Sequence, residues 1–216
     1  MHHIGITTPY IFTIMFMAGI IAESMTGVIS SSRRNMDAFG VIAIALTTAL
    51  GGGIVRDLLL GNLPVTIILY PHYIVICLFF SIIAIFTQKY INKFYKVFLI
   101  LDSVGLIAFA YIGSNIAYTI CTNIFEMNFF SVLVVGIVIA VLNGVAGGIM
   151  RDMICNDIPV AFKSELYASV AGIVGGMNIV FIYLNINLYI SAAIIISIGL
   201  TIRIMSIVYK WKLPII

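Results

Sequence analysis

Gly51-Gly52-Gly53-Ile54-Val55-Arg56-Asp57, followed by Gly61-Asn62-Leu63-Pro64, recurs in the same chain as Ala146-Gly147-Gly148-Ile149-Met150-Arg151-Asp152 followed by Asn156-Asp157-Ile158-Pro159. The offset is 95 residues throughout, without a gap, and six aligned pairs are identical, among them both glycines, the arginine, the aspartate and the distant proline. Chance matching of apolar letters does not preserve Arg-Asp and that proline together. The chain therefore reads as two copies of one unit.

Each copy of the motif closes a long apolar run. Of the 216 residues, 62% are apolar and 9% charged, against roughly half and a quarter in soluble domains. About 20 helical residues cross a hydrocarbon core of roughly 30 Å. Seven such runs fall near Pro9–Ile29, Phe39–Leu60, Thr66–Thr87, Val97–Thr119, Phe129–Met150, Leu166–Leu184 and Leu188–Val208. The pattern predicts an all-α integral membrane protein with residues 1–216 as a single membrane domain. The first run has no Lys/Arg start and is too long for a secretory signal, so it is expected to stay as a span.

Charge gives the orientation. Arg33, Arg34, Lys89, Lys93, Lys96, Lys163, Lys210 and Lys212 follow the odd-numbered spans, whereas the opposite loops carry no Lys or Arg and the N-terminus offers only His2 and His3. Basic residues in short loops prefer the cytoplasm. This predicts an N-terminus outside and a C-terminus inside a cell or inner membrane, with an odd number of spans. The net charge of +3 then reflects topology: anionic lipid headgroups suffice as partners, and no nucleic acid is needed.

A unit of three spans re-enters the membrane from the opposite side in its second copy. The expectation is an inverted pair, repeat one about 9–87 and repeat two about 97–184, with a seventh helix at about 188–208. Such pairs place their sites where glycine-interrupted helices meet near the midplane. In spans two and five, Ala45, Ala49 and Gly53 match Ala140, Gly144 and Gly148, a small-residue face that lets helices approach. Beside it run Thr48, Gly52 and Arg56 in one copy and Asn143, Gly147 and Arg151 in the other, each row on one helical face. A break at the glycines would free backbone groups, tolerated at membrane depth only when buried or lining a watery cavity. The alternative is that the glycines serve packing, the arginines snorkel and Asp57 and Asp152 cap local backbone.

Adjacent helical residues point about 100° apart, so the partners of Arg56 and Asp57 are expected from other helices. Asp102 is placed to pair with Arg151. Glu23 is a candidate partner for Arg203 or for the pathway, and Glu165 suits a helix N-terminus. Ala168, Gly172 and Gly176 form a small stripe expected to pack on another helix, in this chain or a neighbouring subunit. Tyr10, Tyr70, Tyr73, Tyr90, Tyr95, Tyr167, Tyr209 and Trp211 read as interfacial anchors. Cys77, Cys121 and Cys155 read as small hydrophobes. There is no His/Cys metal spacing, nucleophile elbow or phosphate loop, so neither an enzyme nor a bound cofactor or fixed metal is expected.

Together with Met36-Asp37-Ala38-Phe39-Gly40, Leu101-Asp102-Ser103-Val104-Gly105-Leu106 and Glu165-Leu166-Tyr167-Ala168, the doubled motif resembles the prokaryotic branch of the trimeric intracellular cation channel family, whose bacterial relatives also carry a glycine-transporter-like label. The resemblance implies a homotrimer. Each subunit would hold its own pore between spans one, two, four and five, kinked at the glycines and passing potassium and other monovalent cations such as sodium. The pore motif then falls on Gly51, Gly52, Gly53, Arg56 and Asp57, and on Gly147, Gly148, Arg151 and Asp152. Ala146 stands where the first copy has Gly51, so the second kink is expected to be gentler. The Lys-Glu-Val signature of animal members is not apparent, and their lipid and calcium regulation is not carried over.

Two functions from different classes remain open on the sequence. In a passive cation channel, Thr48, Asn143 and freed carbonyls would replace water around the ion. In a transporter of a small zwitterion such as glycine, the guanidinium groups would hold a carboxylate. A purely structural protein leaves the two arginine rows unexplained, and would make Arg56→Gln and Arg151→Gln silent in any flux assay.

Overall fold

In the computed structural model, which describes residues 10–34, 36–91, 95–163 and 166–211, charge lies inside and hydrocarbon outside. Glu23, Arg56, Asp57, Asp102, Arg151, Asp152 and Arg203 are each at most 5% exposed, while Phe39, Phe86, Phe130 and Val208 are 65% to 80% exposed. Water would drive the opposite arrangement. A hydrocarbon solvent produces this one, because ionisable side chains there turn inward to find partners.

The described residues form α1 (Tyr10–Ser32), α2 (Ala38–Leu60), α3 (Thr66–Leu69), α4 (His72–Ile91), α5 (Tyr95–Asn123), α6 (Phe129–Ile154), α7 (Val160–Lys163), α8 (Tyr167–Tyr183) and α9 (Leu188–Tyr209). Of these, α1, α2, α5, α6 and α9 are long and apolar enough to cross a membrane; the apolar stretches of α4 and α8, His72–Thr87 and Tyr167–Tyr183, are shorter. The chain is thus an all-helical membrane protein. Lys93, Glu165, Lys212, His2 and His3 lie outside the described residues, as do the side chains of Lys89, Tyr90, Tyr95 and Lys163.

Side-chain caps start the long helices where the connections are short. Asp37 accepts from Gly40 N at the start of α2, Asn128 from Ser131 N at α6 and Asn187 from Tyr189 N at α9. Such caps satisfy amides that have no partner inside the helix.

The run read as one span over Thr66–Thr87 is two helices. Pro71 has no amide to donate and its ring crowds the carbonyl four residues back; Tyr70 ahead of it leaves helical geometry at φ −125°, as residues before proline do. Two of the expected interfacial anchors are also misplaced. Tyr73 is 7% and Tyr167 3% exposed, Tyr73 lying 4.5 Å from the Phe16 ring and Tyr167 under the guanidinium of Arg203. Tyr10, Tyr70, Tyr209 and Trp211 do face outward.

The core is built around α5, which packs against α1, α6, α8 and α9, while α2 bridges α1 and α6. Leu106, Ile107, Ala108, Ala110 and Tyr111 on α5 are fully enclosed. Two members of the stripe on α8, Gly172 and Gly176, lie against Ile137 of α6. Cys77, Cys121 and Cys155 are free and buried.

Candidate functional site: two buried arginine centres

Each copy of the motif ends in an arginine whose nearest acid is the next residue. Arg56 Nε donates to Asp57 Oδ1 at 2.9 Å, and Arg151 Nε to Asp152 Oδ1 at 2.7 Å. The expectation that neighbours 100° apart would need partners from other helices is corrected here: a guanidinium on three methylenes is long enough to fold back around the helix to the following carboxylate.

The second carboxylate oxygen of each aspartate explains the matched prolines. After Pro64 the chain turns into α3, and Thr66 N donates to Asp57 Oδ2 at 2.6 Å. After Pro159 it turns into α7, and Val160 N donates to Asp152 Oδ2 at 2.8 Å. Each aspartate therefore neutralises its arginine with one oxygen and ties down the next short helix with the other.

Around this shared frame the two centres differ. At the first, Arg56 Nη2 donates to Thr66 Oγ1 at 3.0 Å and Asn62 Nδ2 to Asp57 Oδ1 at 3.1 Å, with the guanidinium 6.0 Å from the Phe16 ring centre. At the second, Arg151 Nη1 donates to Asp102 Oδ1 of α5 at 2.8 Å and to Thr26 Oγ1 of α1 at 3.0 Å. Glu23 Oε2 of α1 lies 3.7 Å from the same nitrogen, and the Phe98 ring 4.9 Å from the guanidinium. Glu23 thus faces Arg151, and Arg203 stacks over Tyr167, 4.7 Å from its ring centre. Sequence reading did not single out Thr26, Thr66, Phe16 or Phe98. Only the matched prolines signalled that α3 and α7 would fold onto the aspartates.

Between the centres α2 crosses α6 in backbone contact. A Cβ added at Gly52 would collide with the carbonyl oxygen of Asn143, and one at Gly147 with that of Thr48. No break interrupts either helix: both stay α-helical through the glycines, whose role in this form is close approach, aided by weak Cα–H···O contacts. The Thr48 hydroxyl and the Asn143 amide N–H of the two rows are turned to backbone carbonyls. Thr48 Oγ1 donates to Ile44 O at 2.6 Å and Asn143 Nδ2 to Phe109 O at 2.5 Å. Gly51 lies on a different face, beside Met150 in an apolar groove of about 380 Å³ that Leu46, Leu50, Ile67 and Ile74 also line. Gly53 and Gly148 lie beside the Nη2 atoms of their own arginines.

The fold and this buried polar frame define the class: a helical membrane protein with the architecture of TRIC cation channels. A structure giving the structural basis for conductance through TRIC cation channels matches with a TM-score of 0.81 at 30% identity over 95% of this chain and 97% of that one. A prokaryotic TRIC channel in 0.5 M KCl matches at 0.80 and 30% over 94% and 99%. For the trimeric intracellular cation channel orthologue of Rhodobacter sphaeroides, at 24% identity, the TM-score of 0.83 is a likeness of fold. The chain belongs to the family described as glycine transporter, whose model matches residues 13–89 and 99–184. The UPF0126 inner membrane protein YadS of Escherichia coli K12 is 30% identical over 201 residues, 92% of either chain. The UPF0126 membrane protein YvgT of Bacillus subtilis 168 is 29% identical over 205 residues, 93% of this chain and 94% of its own.

Proposed function

We propose that this chain is a passive channel for monovalent cations, chiefly potassium, acting as a homotrimer with one path in each subunit. The observation that carries the reading is the polar interior at the α1–α2–α5–α6 contact, set in an architecture matched over nearly its whole length by TRIC cation channels at 30% identity. Thr48, Gly51, Gly52, Gly53, Arg56, Asp57, Asn143, Gly147, Gly148, Arg151 and Asp152 are the proposed path residues, and Glu23 and Asp102 the charge partners on its second half. Because α2 and α6 touch in the described form, the path opens by their separation, with bending at the glycines as the motion that achieves it.

The same reading takes α3 with α4, and α7 with α8, as completing spans three and six. Residues 1–216 are then one membrane domain of seven spans, two inverted three-span repeats and α9, with the N-terminus outside. Inverted repeats with sites near the midplane are a common membrane plan, and the basic loops favour this orientation and contact with anionic headgroups.

The test is potassium flux through purified full-length protein in liposomes under an imposed voltage. The channel gives flux that saturates weakly; silent vesicles with insertion verified overturn it. A second reading, uptake of glycine, is favoured by the family description and by buried guanidinium groups that suit a carboxylate. Saturable, glycine-selective uptake in the same vesicles without potassium conductance would replace the first reading with the second.

A further inference from the structure

The hydrogens around Thr26 do not balance if every carboxylate at the second centre is ionised. Thr26 Oγ1 lies 2.9 Å from the Glu23 backbone oxygen, 2.9 Å from Glu23 Oε2 and 3.0 Å from Arg151 Nη1. A hydroxyl carries one hydrogen. With Glu23 ionised, that hydrogen serves one of the two glutamate oxygens, and the other oxygen faces Oγ1 with nothing between them. Arg151 cannot supply the missing hydrogen, since the two on Nη1 go to Asp102 Oδ1 and to Thr26 Oγ1 itself.

We infer that Glu23 is a proton-binding site, with its Oε2 carrying a proton donated to Thr26 Oγ1. Every contact then holds one hydrogen: Glu23 Oε2 donates to Thr26 Oγ1, Thr26 Oγ1 donates to the Glu23 backbone oxygen, and Arg151 Nη1 donates to Thr26 Oγ1 and to Asp102. The other carboxylate oxygen points the same way. Oε1 has no hydrogen-bond partner among the described residues and lies against Gly105 of α5, where a Cβ would collide with it. Glu23 is 2% exposed, and an ionised carboxylate with one bare oxygen in such a place is disfavoured. Asp102 Oδ2 is equally bare, and it is the Thr26 contact that puts the proton on Glu23.

Charge balance agrees. Three carboxylates, Glu23, Asp102 and Asp152, meet one guanidinium, Arg151. Counting Arg203, held over the Tyr167 ring, still leaves one negative charge in excess, which one proton removes. The groups facing Glu23 are Asp102 from α5, Arg151 and Asp152 from α6, and the Tyr167 hydroxyl from α8, which also meets Asp102. Among the described residues α2 and α4 bring no ionisable side chain to it.

Losing this proton to water leaves a carboxylate beside Asp102 that a permeating cation can match, so the second half of the path becomes cation-attracting as pH rises. That consequence rests on the channel reading; the proton itself does not. The experiment therefore has two arms on the reconstituted full chain. Infrared spectra in light and heavy water should contain a protonated-carboxyl band, shifted by deuterium, that Glu23→Gln removes and that high pH abolishes; a band of equal size in that variant, or none in the wild type, overturns the site.

In the flux arm, potassium flux should rise by up to about tenfold per pH unit where Glu23 titrates and be flat in Glu23→Gln. Flux with the same pH dependence in both proteins overturns the link, whereas no flux from either fails the channel reading and leaves the infrared arm to decide the site. Gln reproduces the neutral, donating glutamate, so Glu23→Gln should keep the wild-type melting temperature; a variant that fails to fold contradicts the proposal. Asp102→Asn provides a second check, moving the loss of the Glu23 band to lower pH by removing the neighbouring charge.

Discussion

The Arg56 and Arg151 centres start from the same letters and end with different charge. At the first, one aspartate meets one arginine, and the surrounding helices add a threonine hydroxyl and an aromatic ring. At the second, α1 and α5 add two more carboxyl groups, Glu23 and Asp102. The motif decides how a guanidinium is tied to its own helix; the helices packed around it decide how much negative charge it shares. Removing one acid should therefore cost more where there is only one. Asp57→Asn leaves Arg56 buried with no carboxylate in ion-pair range among the described residues, and should lower the apparent unfolding free energy in detergent by about 3–5 kcal/mol. Asp102→Asn leaves Arg151 with the Asp152 carboxylate and with Glu23, which can release its proton to become a second one, and should cost clearly less. Equal losses would mean that the extra acids do not act on Arg151.

At the α2–α6 crossing the two halves are alike, and that equality can be broken as well. Gly52 abuts the Asn143 carbonyl and Gly147 the Thr48 carbonyl, so Gly52→Ala and Gly147→Ala should each destabilise by about 1–3 kcal/mol, the usual range for overpacking. The double variant should cost less than the sum, because one displacement of α2 from α6 relieves both clashes and neighbouring sites are not additive. Thermal unfolding of the three variants measures this. A strictly additive pair would show that the two contacts belong to separate packing units.

What the sequence made legible was local or repeated. The offset of 95 residues exposes the doubled motif and apolar length exposes the helices. The small-residue face, by contrast, packs elsewhere, Ala45 on Gly27 of α1, Gly144 on α5 and Ala140 on Gly175 of α8, while α2 meets α6 through the neighbouring row at Gly52 and Gly147. Pro71 carried the signal of the α3–α4 break, overridden by the hydropathy of the run. The interior of the second centre was less legible. Thr26 and Arg151 are 125 residues apart, and no periodicity says which turn of α1 faces which turn of α6. Tyr73 and Tyr167 looked like anchors because they stand near span ends, yet a ring near the end of a helix can turn inward when a neighbouring guanidinium or ring receives it. The glycines suggested a break because glycine permits one; a close helix crossing uses the same absence of a Cβ without one.

The aromatic rings separate the centres by a smaller margin. Phe98 lies 4.9 Å from the Arg151 guanidinium and Phe16 6.0 Å from that of Arg56, the latter at the outer limit for a cation–π attraction worth about 0.5–2 kcal/mol. Phe98→Leu and Phe16→Leu each lose similar packing, so their interaction with the arginine must be isolated in a double-mutant cycle against Arg151→Gln and Arg56→Gln. The coupling should be about 1 kcal/mol at the second centre and smaller at the first. The reverse order would mean that ring distance does not govern the term.

The smallest expected effect concerns residues 62 and 157, which the offset pairs. Asn62 turns inward and donates to Asp57; Asp157 turns outward and accepts from Arg34. The difference follows from charge, since an aspartate beside Asp152 has nothing to donate and is repelled, while an asparagine has an amide. The Arg34–Asp157 bridge is solvent-exposed, with side chains 39% and 48% accessible, and Asp157 holds the Arg34 guanidinium above its ordinary range by accepting its hydrogen bond. Exposed pairs of this kind contribute little and are screened by salt. Asp157→Asn should therefore leave the melting temperature within error at high salt, because the new amide can donate to Asp152 as Asn62 does to Asp57. A clear loss at high salt would show that the bridge ties α1 to the α6–α7 connection, a constraint the first centre lacks.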